Sequence, residues 1–596
     1  MALSVLTADW EQRGAASLAL SLGGMTLEVT GSPDHGFRRL TESLDQGLST
    51  TARTVLHMAA ILDSRLNEFE LYSLIGLSVG QTLAGMTELV TRGAMRDPGG
   101  RLEFTSPMIR ASAYVRVPVV LRRGIHTLVA DRLLARESEG ETIPGLELAW
   151  HCIRSGRSAE AGPYLLRGGR EAINSGAPHE AELALRAGIK LLSGEQTDYG
   201  RVLLAESLQE FSQWLASLEP LQLVSPANSG LRAEADIFEI MAHRQLGRID
   251  RQNSEEYLGK LRKILSAPEC TSIRGLTALA AATVSGFLGS ESRELKSLLQ
   301  PLGKVSTSPE EEARLAIARA MFAYQEGNVE SSLDLLRVAV EGMEENGIAS
   351  SLLASLHVGR GVNHCSRGRY EDAVPEFTRA VEVATRVGSD LIVKTALANL
   401  SLAELRRGEY RASIGWASKT KPLVGTTADV TMQIGYCVAF ANAMLNRFTD
   451  ARLAMGTTAQ DMHEDLPWLR QRWGLYQADI EWLCGHRRRA METAKDALRA
   501  SAWKLLNHRH AGPFYRWLAL LAVGDGMSRK CLRLAEAALD GTTIDTFDRA
   551  EQLASCVLLR KESGLATARV RSQLEEVMAQ LPKEIAVQFG RLGFDL

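Results

Sequence analysis

A pattern with a period near 40 residues constrains the fold of this 596-residue chain more than any other feature of its sequence. From residue 327 onwards, a turn residue is followed by a small residue five positions later, usually an apolar residue nine positions later, and most often alanine twelve positions later. The clearest copy contains Gly368, Ala373, Phe377 and Ala380. The turn residues stand at positions 327, 368, 408, 446, 485 and 526. Such regular spacing indicates an array of structural repeats.

Each repeat is predicted to be a pair of helices joined by the turn residue. Glycine readily adopts the left-handed backbone conformation that ends a helix, and the second helix begins directly after it. Small residues in the second helix allow close packing, and the apolar residue fills the groove between helices. One pair leaves a face uncovered, so neighbouring pairs must stack into a superhelix with a concave surface. Proline and aromatic residues are scarce, which also favours an all-α fold.

This pattern resembles the tetratricopeptide (TPR) repeat. The segment VATRVGSDLIVKTALANLSLAELRRGEYRAS, residues 383–413, is similar to the longer-helix repeats of large ATP-dependent bacterial regulators, which include the activator of the maltose regulon. The resemblance implies a TPR-like α-solenoid over residues 327–596 that ends in a C-terminal capping helix. Residues 136–326 keep helical periodicity but lose the small residues in places, so we expect degenerate helical repeats there. The string LGRID at 246–250 is interpreted as one of their turns.

Residues 48–135 follow a different pattern. The strings TTARTVLHMAAIL, NEFELYSLIGL and VGQTLAGMTELVTRGAM predict three helices over 50–62, 67–77 and 79–95. Residues 94–96 and 102–105 flank the turn Asp97-Pro98-Gly99-Gly100 and predict a β-hairpin. Three helices followed by a hairpin form the winged-helix arrangement. The preceding residues 1–47 are treated as an N-terminal segment, such as the remnant of an upstream domain.

The order of these segments resembles the region downstream of the nucleotide-binding domain in signal transduction ATPases with numerous domains, the STAND proteins. The junction FTSPMIRASAY and the run AWHCIRSGRSAEAGPYLL carry this resemblance, which extends over residues 48–596. The chain departs from that family because it contains no Gly-x-x-x-x-Gly-Lys-Ser/Thr phosphate loop. The nearest string, GLSVGQT at 76–82, lacks the lysine and fits the start of a helix better. The C-terminal helix-turn-helix of the large regulators is also missing.

Charge argues against DNA binding by the winged helix. Residues 1–150 contain 14 Arg, no Lys and 17 acidic residues, whereas a DNA-binding module needs a basic recognition surface. One stretch, residues 107–130, contains four arginines and no acid: Arg110, Arg116, Arg122 and Arg123. In the STAND family this module packs on the ATPase core, so the resemblance implies a docking surface for an anionic partner. A solvated helix face is the alternative.

Aromatic residues concentrate in the C-terminal repeats. Five of the nine tryptophans lie between residues 468 and 517, and the basic residues Arg487 and Arg488 lie among them. Aromatic walls in a repeat groove can hold a ligand by stacking, whereas ordinary packing between helices explains the same residues equally simply. The candidate partner-binding or ligand-binding residues are Trp468, Trp473, Tyr476, Trp482, Arg487, Arg488, Trp503, Tyr515 and Trp517.

Nothing in the sequence predicts a metal site, a cofactor or catalysis. The seven cysteines include no Cys-x-x-Cys pair, which is typical of a reduced cytoplasmic chain. His and Cys pairs such as His151-Cys152 and His364-Cys365 lack a second pair at zinc-finger distance. No catalytic triad or carboxylate pair stands in a recognisable context. The apolar stretch Ala15 to Leu27 is too short to span a bilayer, so we predict no membrane segment.

We therefore expect a cytoplasmic, non-enzymatic regulatory protein whose repeats bind a protein or peptide. By resemblance it would act in bacterial signalling or transcriptional control, together with an ATPase or a transcription component. Two alternatives remain open. The repeats could sense a small-molecule effector, as in regulators of the maltose-activator type, or the chain could be a degenerate STAND switch that still binds nucleotide.

Overall fold

A computed structural model describes most of the chain. The described residues are 16–21, 24–29, 47–62, 76–97, 102–174, 177–210, 213–246, 248–249, 253–285, 308–347, 350–420, 428–461, 467–499, 512–524, 526–539 and 545–594. They form two compact units, the first comprising residues 1–173 and 179–204 and the second residues 174–178 and 205–596. Helices dominate both units, which confirms the predicted all-α class.

Two short antiparallel β-hairpins accompany the helices of the first unit. Strand β1 (Ala16–Ser21) pairs with β2 (Gly24–Val29), with Ala16 opposite Val29. The hairpin β1–β2 was not predicted, because the stretch Ala15 to Leu27 was tested only for its length against a bilayer. Strand β3 (Met95–Arg96) pairs with β4 (Glu103–Phe104), at the position of the predicted hairpin.

The helices of the first unit include two of the three predicted for the winged helix. Helix α1 occupies Thr50–Leu62, and α2 occupies Val79–Thr91, where Ser78 and Gln81 form a capping box at its start. The predicted helix at 67–77 lies mostly outside the described residues. The remaining helices of this unit are α3 (Pro107–Arg116), α4 (Val119–Ser138), α5 (Gly145–Ser155), α6 (Ser158–Asn174) and α7 (Pro178–Ile189). Helix α8 (Glu195–Glu210) contains the boundary between the units.

In the described part of the second unit, four helices precede the regular repeats. They are α9 (Trp214–Gln222), α10 (Ser229–Gln245), α11 (Ser254–Ser266) and α12 (Arg274–Ser285), and a 3-10 helix at Pro268–Ile273 precedes α12. The predicted turn at 246–250 falls between α10 and α11, since the first ends at residue 245 and the second begins at 254.

Six helical hairpins follow in the predicted register. Their helices are α13 (Pro309–Gln325), α14 (Val329–Glu345), α15 (Ser351–Ser366), α16 (Tyr370–Arg386), α17 (Asp390–Arg406), α18 (Tyr410–Ser418), α19 (Ala428–Met444), α20 (Phe448–Asp461), α21 (Pro467–Leu483), α22 (Arg487–Arg499), α23 (Gly512–Gly524) and α24 (Ser528–Leu539). The first helices of successive hairpins pack on one another, which gives a layered helical-repeat array.

The turn residues explain where each helix ends. All six predicted turn positions have a positive φ, and each lies between the two helices of one hairpin. Five are glycine. The sixth, Asn446, has φ 60° and is the single residue other than glycine with a positive φ among the residues that the structure describes. Asparagine tolerates this conformation better than other side chains do. The predicted turn positions are therefore confirmed.

Three more helices complete the second unit. They are α25 (Thr546–Glu562), α26 (Ala568–Met578) and α27 (Glu584–Arg591). Helices α25 and α26 form a further hairpin that turns at Gly564, 38 residues after Gly526. The repeat pattern missed this hairpin because Arg569 stands at the first small-residue position.

The core follows the repeat positions. Ala373, Phe377 and Ala380 of α16 are fully buried, as the pattern predicted for residues between helices. Solvent is also excluded from the corresponding residues of two other hairpins, which are Ser332 and Leu336 on α14 and Ala490 and Ala494 on α22. The small side chains thus let the second helix of each hairpin approach its neighbours.

Candidate functional site

The first helices of the C-terminal hairpins carry a buried polar cluster. Asp479 on α21 accepts hydrogen bonds from Arg516 Nη2 at 2.5 Å, from Trp517 Nε1 at 2.7 Å and from Tyr436 Oη at 3.2 Å. Asp479 and Arg516 are completely buried. Three different helices, α19, α21 and α23, therefore meet at this one carboxylate.

Helix α25 adds two more acids to this cluster. Arg516 Nε donates to Glu551 Oε1 at 3.0 Å. Burial raises the pKa of Glu551. Burial also raises the pKa of Asp548 well above its usual value, and the nearby negative charges of Asp545 and Glu551 raise it further. Glu551 Oε2, Asp548 Oδ2 and Arg516 Nη1 are buried without a hydrogen-bond partner. We refer to Asp479, Arg516, Asp548 and Glu551 as the acidic cluster.

Gly512 brings the start of α23 against these acids. A Cβ on this glycine would lie 2.3 Å from Glu551 Oε2 and 2.9 Å from Asp548 Oδ1. A side chain at this position would therefore displace the carboxylates. The amide end of a helix favours negative charge, so its proximity offsets part of the cost of burying two acids.

Three of the predicted aromatic residues lie in the core around this cluster. Trp473 and Tyr476 are buried in a cluster of apolar residues from α19, α20 and α21. The Tyr476 ring stacks on Tyr436 at 3.9 Å, and its hydroxyl accepts a hydrogen bond from Arg472 Nε at 2.9 Å. Trp517 is fully buried. These rings do not form an open groove wall, so the packing interpretation describes Trp473, Tyr476 and Trp517.

The other predicted residues divide into partly exposed and undescribed ones. Trp482 is half-buried, meets Trp517 edge-on at 5.7 Å and carries the guanidinium of Arg487 over its ring at 4.9 Å. Arg488 is exposed and pairs with Glu492 on the same helix at 3.1 Å. Tyr515 is half-buried and contacts Phe514 edge-on. Trp503 and the side chain of Trp468 lie outside the described residues. A binding role for the exposed set stays a prediction.

The four arginines of the predicted docking surface contact their own unit. Arg110 Nε donates to the carbonyl of Ala60 at 3.2 Å, and Arg123 Nε donates to that of Ser155 at 2.9 Å. The guanidinium of Arg122 lies 4.8 Å from the centre of the Tyr114 ring. Arg116 is half-buried near the end of α3.

An exposed apolar tip that was not predicted lies between Arg116 and Arg122 in the sequence. Val119, Val120 and Leu121 open helix α4 and are 68%, 82% and 59% exposed. Pro118 before them and Val115 on α3 are exposed as well. A run of exposed apolar residues is costly in a soluble unit unless something covers it. The signal for this tip in the sequence is the run of four apolar residues from Pro118 to Leu121.

A second feature of the repeats is a surface already covered by the C-terminal segment. Gln588 Nε2 on α27 donates to the carbonyl of Leu405 at 2.8 Å, across 183 residues of sequence. Arg591 Nη1 donates to the carbonyl of Met444 at 2.9 Å. Helix α27 thus reaches back to the C-terminal ends of α17 and α19. Helix α27 therefore lies on hairpins in the middle of the array, and a capping role for it stays a prediction.

The acidic cluster could not be recognised in the sequence, although one signal was present. Arg516 interrupts the apolar string FYRWLALLAV, and a lone charge on a buried stripe needs a partner. Asp479 and Glu551 lie 37 and 35 residues from it, so no local spacing connects them.

Among the described residues, no group of three or more His, Cys, Asp or Glu could hold a metal ion. Within the same residues no helix has both the length and the apolar character to span a bilayer. All seven cysteines are free thiols.

Comparison with known proteins leaves the family open. No protein-family model matches the chain, and no curated protein matches it. Solved structures share a general likeness. A STAND protein with a tetratricopeptide repeat sensor from Pyrococcus horikoshii is 14% identical with a TM-score of 0.38, over 79% of this chain and 66% of that one. The chain thus spans slightly less than two thirds of the archaeal protein.

Two further structures are similar at the same level. A Rap protein complexed with competence and sporulation factor is 10% identical, with a TM-score of 0.39 over 70% of this chain and 99% of that one. The quorum sensor NprR from B. thuringiensis, in its apo form, is 12% identical, with a TM-score of 0.40 over 59% of this chain and 100% of that one. At these scores the likeness does not identify the family of this chain.

Proposed function

We propose that this chain is a non-enzymatic, cytoplasmic regulatory protein whose helical repeats bind a protein or peptide partner in signalling or transcriptional control. One observation carries the proposal: the ends of α17 and α19 form a surface that holds a short helix, and that helix is a segment of the chain itself. A surface that accepts a helix in cis has the shape and the carbonyl acceptors to accept one from a partner. The layered array supplies the rigid support that such recognition needs.

The first unit is proposed to act as a winged-helix docking module over residues 48–135. Helices α1 and α2 and the hairpin β3–β4 would be its core, with degenerate repeats over 136–326 and TPR-like repeats over 327–596. Arg116, Arg122 and Arg123 flank the exposed apolar tip at Val119, Val120 and Leu121 in the sequence. No acid occurs between residues 107 and 130. Charge complementarity therefore favours an acidic protein surface, such as that of an ATPase partner.

Copurification tests this proposal. The tagged full chain would be expressed in its native cells and recovered with its partners, which mass spectrometry would identify. We expect one partner to be retained by the native chain and lost from the variant V120D/L121D. Leu453 is also exposed, at 68%, but lies in the second unit away from the tip sequence, so Leu453→Asp is the matched control. Equal recovery of the partner with both variants would contradict docking at the tip.

The alternative of a small-molecule sensor has its own support in the acidic cluster. Glu551 Oε2, Asp548 Oδ2 and Arg516 Nη1 lack partners although buried polar atoms nearly always have them. A polar effector that satisfied these atoms would stabilise the second unit. Thermal unfolding of the full chain with a panel of metabolites tests this candidate, and a shift that disappears in Glu551→Gln would support it. The degenerate nucleotide switch makes the distinct prediction of a shift with ATP.

A further inference from the structure

The C-terminal segment follows the turns of three consecutive hairpins. Leu581 and the carbonyl of Gln580 lie against Gly368, where a Cβ would be 2.8 Å from Leu581 Cδ2 and 2.9 Å from the Gln580 oxygen. Glu584 lies against Gly408, where a Cβ would be 2.7 Å from Glu584 Cγ. Glycine is therefore required at both positions for two reasons: its backbone adopts a positive φ, and the C-terminal segment approaches too closely for a side chain.

At the third turn the contact changes from close packing to hydrogen bonding. Arg591 Nη2 donates to Asn446 Oδ1 at 2.9 Å, while Nη1 donates to the carbonyl of Met444. Asn446 is the turn residue that is not glycine. Its side chain supplies an acceptor that glycine lacks, so the exception in the repeat pattern coincides with a contact to the segment.

Turns outside this stretch are open. Within the part of the chain that the structure describes, a Cβ on Gly327, Gly485 or Gly526 would have no heavy atom within 4 Å. These residues occupy the same position in their hairpins as Gly368 and Gly408, with a similar φ. The C-terminal segment therefore covers three consecutive turns, and the turn position as such does not require a covering segment.

Helix α27 docks by one face. Ile585, Phe589 and Leu592 are buried, and they join the apolar clusters formed by the repeats. Their spacing of four and then three residues places them on one side of the helix. The opposite side carries Ala586, Val587 and Gly590, which are exposed. An eight-residue amphipathic helix held by one face has the dimensions of a bound peptide.

We propose that residues 579–594 form a latch, which occupies in cis a docking surface made by the turns at 368, 408 and 446 and the helix ends beside them. Its external occupant is an amphipathic helix with apolar residues at the spacing of Ile585, Phe589 and Leu592, and with an arginine positioned to reach Asn446. The inference rests on the proposed function, since it names the kind of partner and the regulation of the same surface. A partner must displace the latch before it can bind. Its apparent affinity is therefore its affinity for the open surface multiplied by the fraction of chains in which the surface is open.

Hydrogen exchange on the full chain tests the latch from the side of the docking surface. Gly368→Ala places a methyl group against the Gln580 carbonyl and Leu581, whereas Gly327→Ala introduces a comparable φ strain at an open turn. We expect the amides of 584–594 to exchange about tenfold faster in Gly368→Ala than in Gly327→Ala, because only the former opens the latch locally. The proposal is overturned if both variants change these amides equally, or if 584–594 exchanges only together with α17 and α19.

A synthetic peptide tests the same surface from the side of the occupant. Fluorescein-labelled peptide 579–596 would be titrated into the full chain and into Arg591→Ala, and anisotropy would report binding. Arg591→Ala removes the contacts to Met444 and Asn446 but leaves the docking surface intact. We expect this variant to bind the peptide about tenfold more tightly than the native chain does, since the competing segment is weakened. Val587→Ala, on the exposed side of α27, is the control and should behave like the native chain.

The results separate the latch from the proposed function. If neither chain binds the peptide and a partner still copurifies, the latch is wrong and the proposed function stands. If the peptide binds and no partner copurifies, the surface accepts the segment but the proposed function fails. A scrambled peptide that binds as well as the native one would also overturn the latch.

Discussion

Arg516 and Asp479 form an ion pair that is completely buried between helices α23 and α21, with 2.5 Å between the guanidinium and the carboxylate. The pair is not isolated, because Arg516 also contacts Glu551 at 3.0 Å and Asp479 also accepts from Trp517 and Tyr436. Taking charges out of water is costly, and the attraction within such a network offsets that cost only while every member is present. The network therefore fixes how neighbouring hairpins pack.

Removing the cation should be the most damaging single change at this cluster. Arg516→Met leaves Asp479 and Glu551 buried without their common partner, and we expect a loss of about 3–5 kcal/mol in the free energy of unfolding. Denaturant unfolding followed by circular dichroism measures this. Arg488→Met removes an exposed pair with Glu492 and should leave the midpoint unchanged. Equal midpoints for the two variants would show that the buried network does not stabilise the packing.

Overpacking tests the repeat register. Ala380 is fully buried on α16, so Ala380→Leu should force neighbouring helices apart and cost roughly 1–3 kcal/mol. Glu382 is two residues further along the same helix and is exposed, so Glu382→Leu adds a similar side chain without a clash. The measurement is the denaturant midpoint of both variants. A midpoint for Ala380→Leu that matched the native chain would mean that the space beside this alanine is not closely packed.

The sequence predicts the hairpins well because their determinants are local. All the features of the pattern lie within one period: a left-handed turn residue, a helix on each side of it, and small residues at fixed offsets. The pattern therefore predicts the turns correctly, as at Gly327, Gly368, Gly408, Asn446 and Gly485. The hairpin at Gly564 was missed because its second helix carries Arg569 where the pattern expects a small residue.

The repeat pattern could not predict contacts between residues that are far apart in the sequence. The hydrogen bond from Gln588 to Leu405 joins residues 183 positions apart, and it depends on how the stacked hairpins accumulate their rotation. The same limit applies to Trp473, whose helix-stripe spacing fits both a core and a groove wall. Only the placement of the neighbouring hairpins decides between them, and it places this ring in the core.

Acid should destabilise the first unit through a buried pair of histidines. His126 Nδ1 and His151 Nδ1 are 2.9 Å apart, and His126 Nε2 is 3.0 Å from the Tyr114 hydroxyl. Burial lowers the pKa of His126 to about 3, with further contributions from His151, Arg122 and Arg110. Burial likewise lowers the pKa of His151 to about 4. Both histidines are therefore neutral in the folded chain at pH values where the unfolded chain is protonated.

The sign of this effect follows from proton uptake. Below the ordinary histidine pKa of 6.5 the unfolded state binds more protons than the folded one, so the stability is fully present above pH 6.5 and falls progressively as the pH drops from 6.5 to about 3, where the folded chain takes up the same protons. We expect hydrogen exchange in α5 to accelerate over this range beyond its intrinsic pH dependence. His151→Gln should reduce the effect, and the exposed His179→Gln should not. An identical profile for all three chains would contradict the assignment.

Nucleotide should have no effect on this chain. The sequence contains no phosphate loop, so it lacks the backbone cradle and the lysine that neutralise phosphate charge in P-loop proteins. We expect ATP with Mg²⁺ to leave the thermal midpoint unchanged and to be hydrolysed no faster than in buffer. Turnover that persists after repurification without the affinity tag would favour the degenerate nucleotide switch.

Two of the tryptophans of α21, Trp473 and Trp482, should separate core packing from partner binding. Trp473 is 6% exposed among the side chains of α19 and α20, so Trp473→Ala should cost about 3–5 kcal/mol of stability. Trp482 is half-buried near the exposed Arg487, so Trp482→Ala should cost less stability than Trp473→Ala does. If a partner binds at Trp482, the same change should weaken its binding by more than about 1 kcal/mol.

Charge reversal at Arg487 and Arg488 should lower the rate at which such a partner associates, and it should reduce the dependence of that rate on salt. Once a partner is identified, midpoint and affinity are to be measured on each variant. If Trp482→Ala and the charge reversals leave affinity unchanged, this edge of the repeats takes no part in binding.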